Sequence, residues 1–250
     1  MTISSSMISS TEETLREAPN VASTAYMKFN GEVMSAKSYE NAQLLPSELR
    51  SERERRVARA QEAAGQEQNR LRAAAESAAA LIRSVVEQER PRISDYARAQ
   101  SGWQAATMYL DQGHSLAHIL SRADESMTLA VEEYGVHWLQ AQRDPAKLVD
   151  VRSDQTGDPV AAAVEQLHAM AALRLAELSA DPALAAALRL SVQIDVYLVA
   201  AVAWWEGLSA IAANRTFNQL TAAVTARLVG NRAESQLKGL SPAETARQSA

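Results

Sequence analysis

The chain of 250 residues contains no cysteine, which excludes disulfides, thiolate zinc centres and cysteine nucleophiles. Glycine (9) and proline (7) are scarce, so little interrupts the backbone. Period-two runs of Val, Ile, Thr and aromatics, the mark of strands, are missing. Lysine stands only at Lys28, Lys37, Lys147 and Lys238. The net charge of −5 gives no overall attraction to nucleic acid or anionic lipid. No Gly-rich phosphate loop, Gly-x-Ser-x-Gly elbow or dinucleotide fingerprint occurs, which argues against nucleotide-dependent chemistry. The first basic residue is Arg16 and no apolar segment follows it, so a secretory signal is not expected.

Alanine fills the space these absences leave. It makes up about a fifth of the chain, and with few helix breakers it favours helix over strand throughout. An all-α fold is expected. Val57, Ala64, Leu71, Ala78 and Val85 stand seven residues apart, the period that keeps one stripe of a helix against one partner. Leu81 adds a companion position. This seam predicts a coiled-coil-like helix over 46–91, on the order of 65 Å long at 1.5 Å per residue. Its small residues allow close approach but bury little area per layer, at about 25 cal/mol per Å². Another helix, of the same chain or of a second copy, is expected to cover it.

Punctuation suggests the rest of the organisation. Residues 1–45 read as a flexible arm, hydroxyl-rich at its start, with one short helix near Glu32–Gln43. Residues 92–232 read as an antiparallel bundle of about five helices. In it, Asp95 caps a helix that Gly113 ends, and Ser115 caps one running from Leu116 to Trp138. A loop follows from Asp144 to Asp158. Asp158-Pro159 and Asp181-Pro182 then each open a helix with an N-cap and a first-turn proline. The second, over Pro182–Ala213, carries only Arg189, Asp195 and Glu206 as charges, so it is expected to be buried centrally. Its uninterrupted apolar run falls short of the ~20 residues that span a bilayer. Asn214 allows a break. Residues 233–250 form a tail with a short helix capped at Ser241-Pro-Ala-Glu244.

Few residues suggest chemistry. His114 and His118, spaced i, i+4, share a helical face and can chelate a transition metal if further ligands converge. Glu133 with His137 is a second such pair. Glu165 with His168 matches the Glu-x-x-His half of a di-iron site, whose second half is missing. Asp195 and Glu206, embedded in the apolar helix, would need partners if buried. Among Ser47–Arg92 ten arginines face eight glutamates, and Glu52 with Arg56 is a favourable i, i+4 pair, so a solvated face is expected over a nucleic-acid grip. The expectation is a soluble, non-enzymatic, homo-oligomeric component of a larger machine, without metal, cofactor or small-molecule substrate. A bacteriophage scaffold, connector or internal structural protein fits the composition. A substrate or tip-type protein of a bacterial needle secretion system, or a helical-bundle metal-binding protein or enzyme, is the alternative.

Overall fold

Every regular element among the described residues is an α-helix. The structure is a computed structural model that describes residues 4–141, 158–224 and 226–228. In chain order the helices are α1 (Ser5–Lys37), α2 (Pro46–Glu89), α3 (Tyr96–Asp111), α4 (Leu116–Arg122), α5 (Glu125–Gln140), α6 (Pro159–Leu178) and α7 (Pro182–Ala212). The chain is helical again at 219–224 and 226–228. The expected loop at 144–158, apart from Asp158, and the tail helix at 233–250 lie outside the described residues.

The described chain falls into two compact units. Among the described residues one unit holds Ile82–Val192 with residues 4–8, the other Ser9–Leu81 with the described residues of 193–228. The dividing points among the described residues fall inside α1, α2 and α7. Helix packing, which sequence punctuation does not report, sets them.

In the second unit the expected flexible arm is instead the 33-residue helix α1. Leu15, Ala22, Phe29 and Ala36, seven apart, are all buried. This is the same period as in α2. Pro19 and Asn30-Gly31, which elsewhere punctuate a chain, lie inside this helix. Pro19 removes one backbone bond there, a cost of ~3 kcal/mol in an isolated helix, and burial of the flanking heptad positions offsets it.

On α2 the predicted seam is covered in part. Ala64, Ala78 and Val85 are buried, while Val57, Leu71 and Leu81 are half-buried. Ala64 and Ala75 share a core with Ala22, Tyr26 and Phe29 of α1 and with Ala201, Trp204, Trp205 and Leu208 of α7. The aromatic rings supply the area that alanine lacks. Each buries about 150–250 Å², worth about 4–6 kcal/mol before ordering costs. Gly207 makes room for them: a Cβ there would sit 2.7 Å from Phe217 and 2.8 Å from Tyr26. Asn214, at φ 52°, ends α7 in the left-handed conformation that asparagine tolerates.

The first unit packs α5 between α3 and α6, with α4 beside them. Leu116, Leu120, Val131, Leu139 and Leu167 centre its core. The predicted caps form: Asp95, Ser115, Asp158 and Asp181 accept from the backbone N–H of Arg98, His118, Val160 and Ala183. Gly113 stops α3 at φ 87°. The single helix expected from Leu116 to Trp138 is instead two. Ala123 turns extended, and Asp124 caps α5 by accepting from Met127 N at 2.8 Å. Both pieces keep their apolar positions inward, so periodicity alone did not show the break.

Candidate functional site

The one buried carboxylate among the described residues is Glu132 of α5. Arg90, just past the end of α2, donates from Nη2 to Glu132 Oε2, and His168 of α6 bonds Oε1 through Nδ1 at 2.9 Å. Burial pushes the Glu132 carboxyl up, but the hydrogen bonds and charges of His168 and Arg90 outweigh it and hold the group below the usual carboxylate range. Glu132 thus ties α2, α5 and α6 together. It also fixes the His168 ring by one nitrogen, leaving the rest of that side chain half exposed. Sequence reasoning paired His168 with Glu165 of its own helix and missed Glu132, because a contact between helices leaves no spacing signal.

The other expected ligand sets do not converge. His114 and His118 are stacked, with ring centroids 4.6 Å apart and planes 10° apart, and Tyr109 meets His114 edge-on. Parallel rings aim their in-plane lone pairs alongside each other, not at one ion. Burial first, and then the charges of Arg122 and His114, push the His118 pKa down. Glu133 and His137 are both exposed. Among the described residues no group of three or more potential ligands comes together.

The α1–α2 turn is built from the arginine cluster. Arg53 Nε donates to the Tyr39 carbonyl at 2.6 Å. The Arg56 guanidinium lies 3.6 Å from the Tyr39 ring centroid, and its Nε donates to Glu52 Oε1 at 2.8 Å. Arg55 pairs with the other Glu52 oxygen. The predicted Glu52–Arg56 pair therefore forms. Alongside this turn a groove runs between α1 and α2, with Lys28, Arg56 and Arg59 on its walls.

On α7 the expected buried carboxylates are a correction. Asp195 and Glu206 are both exposed, and between them on the same face Val199 and Val202 are 48% and 41% exposed. The spacing 195, 199, 202, 206 follows one helical side, opposite the buried Ala201, Trp204, Trp205 and Leu208. The helix is therefore not buried all round. By length and composition it could cross a membrane; core helices meet the same criterion, and its inner face belongs to the cores described above. Beyond it, Leu220, Val224 and Leu228 stand exposed four residues apart. No family model matches the sequence, and no curated protein or solved structure matches it either.

Proposed function

We propose that this chain is a structural, non-enzymatic component that associates with copies of itself inside a larger assembly, the role of scaffold, connector and internal structural proteins in bacteriophage particles. One observation carries this reading. Val199 and Val202, and beyond them Leu220, Val224 and Leu228, present apolar side chains outward at helical spacing, from helices that have already closed around their own cores. A row of that kind marks a surface for a partner. Ala64 and Leu71 of the α2 seam pack in a core with α1 and α7 residues of the same chain, which favours these outward faces for association. The hydroxyl-rich start is helical from Ser5, with Thr11 and Leu15 buried.

Light scattering behind size-exclusion chromatography tests the proposal. A mass rising above the 27.1 kDa chain with concentration is expected, and a strict monomer at every concentration contradicts it. The Glu132–His168 bond favours one second reading. A carboxylate-held imidazole is the arrangement that presents its other nitrogen to a metal or a proton-transfer partner. Stoichiometric iron, zinc or manganese in purified protein, lost in His168→Ala, would replace the structural reading.

A further inference from the structure

Two surfaces of the unit formed by Ser9–Leu81 and the described residues of 193–228 are complementary. The first is the α1–α2 groove, of about 690 Å³. Phe29, Ala60 and Ala63 give it an apolar floor, and Lys28, Arg56 and Arg59 line it with one carboxylate, Glu32. Lys28 pairs with Glu32 at 4.0 Å and Arg56 with Glu52, which leaves Arg59 as the unpaired cation of the three among the described residues. The chain as a whole is acidic, at −5, so this unpaired cation stands out. Arg56 is held ready, its plane against Tyr39 and its Nε on Glu52, with both terminal amino groups left to donate. Arg59 makes no ion pair or hydrogen bond among the described residues.

The second surface is the outer face of α7. Val199 and Val202 form its apolar centre, Glu206 stands exposed at one end and Asp195 at the other. Eleven rises of 1.5 Å from Asp195 to Glu206 make this face about 16 Å long. It is apolar in the middle and anionic at its ends, where the groove is apolar at its floor and cationic at its rim. The groove holds several side chains of one helical face, though not a whole helix. Buried α7 residues cover the Ala22–Tyr26 side of α1 and the Ala64–Ala75 side of α2. Phe29 borders both sides, but Lys28, Glu32, Arg56, Arg59 and Ala63 lie a quarter- to a third-turn round from the covered side, so the groove and the outer face of α7 are different surfaces of the unit.

We propose that the α7 outer face of one copy seats in the α1–α2 groove of the next. The inference rests on the self-association reading above and names its contact. Because two different surfaces meet, a head-to-tail contact leaves one of each free at its ends and extends into a chain or a ring. Charge complementarity within one sequence points to a second copy as the occupant. One helix face in one groove buries less than the ~1,200 Å² of a stable pair. A single contact is therefore weak, and repetition along an assembly makes it persist.

Sedimentation velocity of the full chain at low salt tests the contact with three variants at exposed positions, each checked for helicity. Arg59→Glu and Glu206→Arg should each weaken association roughly tenfold or more, and the double variant should recover it. Gly31→Trp should block the groove, since nothing lies within 4 Å of a Cβ there. Mixed with Glu206→Arg, which keeps an open groove, Gly31→Trp keeps an intact α7 face, so the mixture should form a heterodimer and grow no further. If the wild type associates and the variants match it, this contact is overturned while the assembly reading stands. If the wild type never associates, both fail.

Discussion

Glycine 207 allows a prediction whose sign depends on packing alone. Replacing Gly207 by Ala in the middle of α7 should stabilise an isolated helix by about 1 kcal/mol. In this protein the added methyl would lie 2.7 Å from Phe217 Cε1 and 2.8 Å from Tyr26 Cδ2, closer than real Cβ contacts allow. Tyr26 already meets Trp204 at 5.7 Å and Phe217 at 5.1 Å between ring centroids, so neither ring yields without disturbing the cluster. Overpacking of this kind costs about 1–3 kcal/mol, and loosened ring pairs add about 0.5–1.5 kcal/mol. The net loss is about 1–3 kcal/mol, or roughly 3–10 °C in Tm for a chain of this size. Gly31→Ala is the matched control. Open space surrounds its Cβ, so it should raise Tm by a few degrees. Thermal unfolding followed by circular dichroism reads both. A Gly207→Ala protein as stable as Gly31→Ala would refute the close packing of α1, α7 and Phe217.

Three further outcomes follow from the same structure. The Glu132 pKa is held below its unfolded value of ~4.3 by His168 and Arg90, so the group contributes stability above that value and loses it as pH falls through the folded one. Glu132→Gln should therefore flatten the acid side of a stability–pH curve and cost about 1–3 kcal/mol at pH 7, because half-buried Arg90 loses its carboxylate; urea titrations across pH 3–7 measure both. Asn214→Gly should leave stability nearly unchanged and Asn214→Val should cost about 1–2 kcal/mol, since the site has φ 52°. Asp124→Ala should cost about 0.5–2 kcal/mol by uncapping α5, whereas Asp124→Asn should keep most of that stability in the same denaturant assay.

Local chemistry was legible in the sequence where one helix sufficed to express it. The α2 heptads, the aspartate caps at 95, 158 and 181, the stop at Gly113 and the Glu52–Arg56 pair all depend on residues a few positions apart. α1 carried the same signal in Leu15, Ala22, Phe29 and Ala36, yet the serines, asparagines and Gly31 among them pointed to a flexible segment. Packing against α2 and α7 overrides those local preferences. Contacts between helices were not legible. Glu132 meets His168 and Arg90 across 36 and 42 residues, and no periodicity encodes that. The exposure of Asp195 and Glu206 was hidden for the opposite reason: composition describes a whole helix, while burial is decided face by face.

Self-association through outward helix faces is most directly tested by sedimentation equilibrium of the full chain over a wide concentration range, at low and at high salt. The account predicts a mass above 27.1 kDa that grows with concentration and declines as salt screens the charged rim. A constant monomer mass under both conditions would contradict it.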